Sequence, residues 1–123
     1  MSAGDDDRLA ERTAASFAAS LRALADPELI EIAGTKVTVG GGLELDFRDV
    51  DYESGQLLDR AAIVIRGVID GVQDVLAEIT SDPWPSAGTR MPVATVTVRD
   101  AAIEVTFAAP GEPDIAMPPI RPF

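Results

Sequence analysis

Carboxylates are the only plentiful side chains in this sequence that could support catalysis or metal binding. Its 123 residues include 21 acidic and 10 basic ones, with no cysteine and no histidine. The lack of cysteine excludes disulfides, thiolate metal sites and thiol nucleophiles. The lack of histidine removes the commonest general base, the commonest zinc ligand and every histidine-containing triad. Paired carboxylates can perform acid–base chemistry, but among 21 acids some pair always looks suitable, so no catalytic residue is assigned.

The strongest candidate for a metal site is a run of spaced acidic residues that comes before a glycine, namely Asp46, Asp49, Asp51 and Glu53. Short acidic side chains before a tight turn are typical of calcium loops, which gather hard oxygen ligands. An EF-hand loop that began at Asp49 would need glycine in place of Ser54 and a bidentate glutamate in place of Arg60. A solvated strand edge and loop is therefore the favoured interpretation, and we predict no metal and no cofactor.

Two other motifs lack the context that their chemistry requires. Gly40-Gly41-Gly42 has neither the lysine nor the Ser/Thr of a P-loop, and a strand follows it, so no helix N-terminus is offered to an anion. We expect a turn or bulge there. No serine or threonine has a histidine base, no glycine-flanked serine elbow is present, and Lys36, the sole lysine, falls in a predicted strand. The sequence thus predicts a protein that is not an enzyme.

Asp70, Asp74 and Glu78 recur at every fourth residue of a predicted helix, and we call them the acidic ridge. Like charges at this spacing destabilise a helix by a few tenths of a kcal/mol per pair, so a basic partner would relieve them. A solvent-facing stripe is the simpler interpretation. We also expect Arg66 to pair with Asp70, because the two lie one helical turn apart.

Trp84 is the single tryptophan and lies between Pro83 and Pro85. It can be interpreted as an exposed anchor for a partner, because tryptophan is enriched at binding hot spots. The favoured interpretation is a hydrophobic plug that covers the end of a sheet beside the end of the preceding helix.

The element that carries the acidic ridge is a tract without helix breakers, residues 56–80. Its apolar residues recur at spacings of three and four along one face, at Ala61, Ile65, Val68, Val72, Val75 and Ile79. Four more widen that face, namely Leu58, Ala62, Ile69 and Leu76. This apolar face is broader than a lone surface helix needs. The tract therefore predicts a helix that lies across a sheet, a second subunit or both, with Ser54 as its N-cap.

The remaining elements follow from periodicity and from breakers. Residues 5–25 predict a first helix, which Asp26-Pro27 ends. Residues 28–53 predict strands, because apolar and polar residues alternate there. Residues 93–108 predict a hairpin with its turn near Arg99-Asp100-Ala101. Each strand has one apolar and one polar face.

The C-terminal residues 109–123 contain five of the nine prolines. Such a tail is predicted to be extended, because proline cannot continue a helix or a central strand. Four apolar residues in the tail could dock on a surface, namely Ile115, Met117, Ile120 and Phe123. We therefore divide the chain into a single domain, 1–109, and an extended proline-rich tail, 110–123.

The formal net charge of −11 disfavours binding to nucleic acids and to anionic membranes. No stretch reaches the length of a membrane span, because Arg66, Asp70 and Asp74 interrupt the longest apolar one. The N-terminus is acidic, whereas a secretory signal begins basic and continues apolar. These features predict a cytoplasmic location, and the preference for arginine over lysine, with many alanines and glycines, indicates a bacterial source.

The predicted fold is α+β, an antiparallel sheet of four or five strands with the long helix across one face. The element order is α-β-β-β-α-β-β, followed by the tail. This order and the acidic charge resemble those of small acidic secretion-type chaperones, although no residue motif is shared and those chaperones end in a helix. The resemblance implies a dimer that binds extended segments of partner proteins.

These features together predict a small, acidic, non-enzymatic interaction protein, chaperone-like or adaptor-like, that binds a protein partner or itself. It would be a homodimer or a subunit of an assembly. The candidate partner-binding residues are the acidic ridge, Trp84 and the four apolar tail residues. The alternative is a small-molecule-binding or carboxylate-dependent hydrolytic domain, with a pocket between sheet and helix and with Asp46 or Asp49 as carboxylates. Strand order and the docking site of the tail stay open at this stage.

Overall fold

The computed structural model describes residues 3–49, 57–85 and 90–121. The helices in these ranges are α1 (Ala3–Arg22) and α2 (Leu57–Thr80). The strands are β1 (Ile30–Ala33), β2 (Lys36–Val39), β3 (Leu43–Asp46), β4 (Val93–Arg99), β5 (Ala102–Ala108) and β6 (Ile115–Ala116). Short 3-10 helices span Pro27–Leu29 and Phe47–Asp49. The α+β class is confirmed, and β6 adds a strand inside the predicted tail.

The described strands form two antiparallel sheets of three strands each, in the orders β1-β2-β3 and β4-β5-β6. The prediction of one sheet with four or five strands is therefore corrected. Alternation of apolar and polar residues identifies a strand and its buried face but does not state which strands pair. In this chain each sheet is built from neighbours in sequence, and the tail supplies the third strand of the second sheet by pairing Ile115 with Phe107.

α2 contacts both sheets, through β2 and β3 of the first and β4 and β5 of the second. The prediction that the long helix lies across one face of a single sheet is corrected accordingly. The buried side chains include Ile69 and Leu76, which were predicted only to widen the apolar face, whereas Val68 and Val75 are half-buried and Ile79 is 46% exposed. The broad apolar face is needed because two sheets cover the helix.

α1 packs on the first sheet, where it contacts β1, β2 and the 3-10 helix Phe47–Asp49. Its buried apolar residues are Ala10, Ala14, Phe17, Ala18 and Leu21. The three alanines among them let the helix approach the strands closely. The rings of Phe17 and Phe47 meet edge to face with their centroids 5.6 Å apart. This pair joins the middle of α1 to the end of β3, within a core that both helices and both sheets share.

The tail is extended, as predicted, and it docks on its own domain. Ile103 and Ile120 exchange two backbone hydrogen bonds of 2.9 Å, so the tail runs antiparallel to β5 beyond β6. The Ser20 hydroxyl of α1 donates to the Pro118 carbonyl at 2.8 Å, and the Ser16 hydroxyl accepts from the Arg121 N–H at 2.8 Å. The tail therefore connects the second sheet to α1.

The glycine run Gly40-Gly41-Gly42 forms the turn between β2 and β3, as predicted. Gly40 and Gly41 have φ values of +62° and +76°, in the left-handed region that favours glycine. The Gly40 N–H donates to the Leu29 carbonyl at 2.8 Å, which fixes the turn beside β1. The same turn approaches the C-terminal half of α2, where Gly40 faces Val75 and Ile79.

Candidate functional site

All three residues of the acidic ridge are exposed on α2. The ion pairs within the described residues, Lys36–Glu44 at 3.4 Å and Arg99–Glu104 at 3.5 Å, do not involve the ridge. Arg66 does not pair with Asp70 as predicted, because its Nη2 donates to the Val96 carbonyl of β4 at 2.8 Å. In the described part of the chain the ridge therefore presents three like charges without a compensating cation.

The ridge is part of a wider exposed surface. At about 100° per residue, one side of α2 points away from the buried side chains. Five residues share that side, and we call them the outer face of α2: Ile63, Gly67, Asp70, Asp74 and Glu78. Ile63 is 55% exposed and places an apolar side chain on this face. An apolar residue beside a row of carboxylates suits a lysine- or arginine-bearing segment, whose stems are apolar and whose ends are positive.

Trp84 is 5% exposed, so the interpretation as an exposed anchor is wrong and the plug interpretation fits. Its ring meets Phe107 of β5 edge to face at 5.5 Å, with 74° between the planes. Its indole N–H donates to the Leu24 carbonyl at 3.2 Å, just after α1. Trp84 thus joins the end of α1 to the second sheet. Burial removes it from any partner surface of this conformation.

Gln73 is a structural residue that sequence reasoning missed. Its side chain is 3% exposed, and its amide nitrogen donates to the Pro92 carbonyl at 2.8 Å and to the Trp84 carbonyl at 3.3 Å. A single donor group therefore ties α2 to both ends of the segment that leads into β4. The available signal was a glutamine between Ile69 and Leu76 on an otherwise apolar face.

The apolar tail residues that the structure describes, Ile115, Met117 and Ile120, lie beside β5 of the second sheet. Met117 and Ile120 are buried, and Ile115 is half-buried. Ile115 pairs with Phe107, the residue that Trp84 contacts, so these predicted partner-binding residues meet around β5 inside the core. Phe123 lies outside the described residues. In this conformation the buried tail residues, Met117 and Ile120, pack against their own domain and are not available to a partner.

Asp46 holds the end of β3 in place. Its Oδ1 accepts hydrogen bonds from the Thr35 hydroxyl at 2.7 Å and from the Arg48 N–H at 2.9 Å. These two bonds, the Thr35 bond first, hold the pKa of the carboxyl below its ordinary value of 3.8. A carboxylate with a lowered pKa is a poor general acid and a weak base near neutral pH.

The rest of the acidic run does not form a described site. Asp51 and Glu53 lie outside the described residues, as does the side chain of Asp49. Within the part of the chain that the structure describes, no group of three or more acidic residues is arranged to hold a metal ion.

Thr35→Val is expected to destabilise the protein in a pH-dependent way. Valine fills the buried space but cannot donate to Asp46, so the loss at pH 7 should be about 1–2 kcal/mol. Because the folded pKa lies below 3.8, the carboxylate stabilises the fold above that value, and its contribution disappears as the pH falls through the folded pKa. Urea denaturation at pH 7 and at a series of lower pH values measures the change. A difference between variant and wild type that does not narrow as the pH falls below 3.8 would contradict this account.

A shallow, open pocket of about 510 Å³ lies beside β1. Its polar lining consists of Arg22, Glu28, Glu31 and Thr38, and Asp46 is not part of it. The Arg22 Nη2 donates to the Ile30 carbonyl at 2.9 Å, so the guanidinium is held at the edge of the strand. The pocket offers mixed charges on an open surface, and it lacks the carboxylate that was predicted for a hydrolytic site.

Comparisons with known proteins assign no family or activity: no family model matches the sequence, and no curated protein or solved structure is significantly similar to it. Neither of the described helices is both long enough and apolar enough to cross a membrane.

Proposed function

We propose that this protein is a non-enzymatic interaction protein that binds a basic segment of a protein partner through the outer face of α2. The observation that supports this proposal is the uncompensated acidic ridge, three exposed carboxylates with no counter-charge among the described residues. Repulsion along the ridge weakens the helix, so its presence calls for a reason other than helix stability. Charge complementarity to a basic partner supplies one.

The placement of the ridge suits recognition. Asp70 and Glu78 are separated by about 12 Å along the axis, because an α-helix rises 1.5 Å per residue. Contacts with both sheets fix α2, so little ordering would be needed on binding. A net charge of −11 also favours fast encounter with a basic chain and opposes nucleic acid. We also propose that the partner is a protein, that this chain forms a homodimer, and that it is located in the cytoplasm.

Neutralising the ridge is expected to weaken this binding. The test variant combines Asp70→Asn, Asp74→Asn and Glu78→Gln, and the probe is a series of lysine- and arginine-rich peptides of about 15 residues. Exposed ion pairs contribute roughly 0.2–1 kcal/mol each, so losing three should weaken binding about threefold to a hundredfold. Binding to the wild type should also fall as salt rises.

The matched control removes the same amount of charge elsewhere, by Glu11→Gln, Glu31→Gln and Asp114→Asn. These three acidic residues are exposed and lie off α2. Fluorescence anisotropy with labelled peptides measures all three proteins. If the control loses as much affinity as the ridge variant, binding reflects net charge alone, and if the wild type binds no basic peptide, the proposal fails.

The alternative function is a small-molecule-binding domain, and the pocket beside β1 is the observation that favours it. A ligand screen by thermal shift tests it, because a ligand that binds only the folded state raises the melting temperature. A hit whose effect disappears in Arg22→Ala would locate the site in this pocket, and the absence of hits would remove the alternative.

A further inference from the structure

The hydrogen bonds between the tail and β5 show which backbone groups of β5 point away from β4. The Met117 N–H donates to the Val105 carbonyl at 2.9 Å, and Ile103 and Ile120 exchange bonds of the same length. In an antiparallel ladder the N–H and C=O of one residue point to the same side of the strand. Ile103 and Val105 therefore direct their backbone groups to the tail.

The intervening residues of β5 must then bond to β4. Glu104 lies opposite Thr97, and Thr106 lies opposite Thr95. Thr95 and Thr97 therefore bond to β5. Because bonding alternates along a strand, the residues directly before and after each of them in β4 direct their N–H and C=O groups away from the sheet. These outward residues are Ala94, Val96 and Val98.

Only one of these outward groups is occupied among the described residues. The Arg66 guanidinium donates to the Val96 carbonyl, which agrees with the outward direction derived above. The groups of Ala94 and Val98 receive no hydrogen bond from the described part of the chain. The edge of β4 is therefore open on either side of Val96, and it is apolar at one end, where Val98 is 37% exposed.

The other three described sheet edges are shorter than β4, although β4 shares one feature with β1, an arginine bound at its edge, because Arg66 donates to Val96 as Arg22 donates to Ile30. β6 has two residues and is followed by Pro118 and Pro119. β3 has four residues, of which Glu44 and Asp46 are charged, and β1 has four residues with Arg22 bound at its edge. β4 has seven residues, no proline, and a charge only at its last position. Short strands, charges and prolines are the usual means of preventing edge pairing.

We propose that β4 pairs antiparallel with β4 of a second copy of this chain, about a two-fold axis at Val96. The sheet would then continue across both copies as β6-β5-β4 followed by β4-β5-β6. This inference rests on the proposed homodimer and names its surface. The inference does not use the acidic ridge, whose three carboxylates lie on the outer face of α2.

The register makes the strand complementary to itself. About the axis at Val96, Ala94 lies opposite Val98 of the second copy, and Thr95 lies opposite Thr97. The outward groups of the three positions then form about six hydrogen bonds. The two copies of Arg99 are placed about 20 Å apart, at opposite ends of the pair, so no like charges face each other across the strands. Arg66 competes with this pairing and has to leave the Val96 carbonyl.

The expected association is weak and strengthens with salt. A pair of seven-residue strands is a small interface, of the size found in transient complexes. Two chains that each carry −11 repel one another, and salt screens that repulsion. Binding of a basic segment to the acidic ridge has the opposite salt dependence, so the two interactions are distinguishable in one series of measurements.

The test is the molar mass of the full chain by light scattering, from about 10 µM to about 1 mM, at low salt and at about 0.5 M salt. The wild type should pass reversibly from monomer to dimer, at lower concentration in high salt. Val98→Pro removes an outward N–H, which an edge strand tolerates, so this variant should fold and stay monomeric. Arg66→Ala removes the competing donor and should dimerise about threefold to tenfold more tightly.

Amide hydrogen exchange of the wild type provides a readout that needs no variant. The Val96 and Val98 amides should become protected as concentration rises, while the Thr97 amide is protected throughout by β5. If Val98→Pro still dimerises, or if the Val96 and Val98 amides of the wild type stay unprotected in the dimer, then β4 is not the dimer interface. The homodimer itself would not be contradicted by either result. A wild type that stays monomeric up to about 1 mM in high salt would overturn both the β4 interface and the homodimer. A weaker dimer in Arg66→Ala would also contradict the proposed edge pairing.

Discussion

Trp84→Ala is expected to lower the free energy of unfolding by about 3–5 kcal/mol, because it empties a large buried site that its surroundings cannot refill. The ring is 5% exposed, and it contacts Phe107 edge to face. The indole N–H also donates a hydrogen bond to the Leu24 carbonyl, and the alanine variant loses this bond. Typical domains are stable by only about 5–15 kcal/mol, so the variant should approach global instability. Urea denaturation followed by circular dichroism measures the loss.

Trp84→Phe is the matched control for this substitution. Phenylalanine keeps an aromatic ring beside Phe107 but has no N–H for the Leu24 carbonyl, so we expect a smaller loss of about 1–3 kcal/mol. Trp84 is the only tryptophan, so the fluorescence of the wild type reports its burial directly. An emission spectrum of the native state that matches the urea-unfolded state, or an alanine variant within about 0.5 kcal/mol of the wild type, would mean that Trp84 is a surface residue.

Gly40→Ala is expected to destabilise the protein by about 2–5 kcal/mol, from two additive causes. The φ of +62° places a side chain in the left-handed region, which costs about 1–2 kcal/mol. A Cβ would also lie 2.6 Å from Val75 Cγ1 and 2.6 Å from Ile79 Cδ1. Ile79 is 46% exposed and can move aside, but Val75 is half-buried and branched close to the backbone. Overpacking of this kind costs about 1–3 kcal/mol.

Gly41→Ala separates the two causes, because Gly41 has a φ of +76° but nothing within 4 Å of the added Cβ. It should show the backbone cost alone, about 1–2 kcal/mol. A second control combines Gly40→Ala with Val75→Ala, and its loss should be smaller than the sum of the two single losses, because both changes act on the same contact. Equal losses for the two glycine variants would mean that the turn does not approach α2 as described. Thermal or urea denaturation of the wild type, the three single variants and the double variant measures these losses.

Local pattern was enough to predict several features. The tract 56–80 became α2, Leu57–Thr80, because a period of 3.6 over many residues has few other solutions. The hairpin of residues 93–108 formed with its turn at Asp100-Ala101, since Arg99 pairs with Ala102. The ridge of Asp70, Asp74 and Glu78 is exposed because residues four apart share one side of a helix.

Other features could not be read from local pattern. Trp84 had two interpretations, and its burial depends on Phe107 and Leu24, which are distant in sequence. Gln73 gave a signal only in hindsight, because its partners are the backbone carbonyls of Pro92 and Trp84, and every residue has a backbone carbonyl. The free edge of β4 likewise depends on the direction in which β5 uses its backbone groups.

Local pattern predicted both α-helices, five of the six described strands, the extended tail and the acidic character of α2, because each of these features depends on residues close together in the chain. Long-range contacts were needed to establish that the strands divide into two sheets, that the tail completes the second sheet, and that α2 contacts both sheets. Strand pairing and core packing join residues far apart in the chain. Their energies therefore depend on geometry that no local pattern contains.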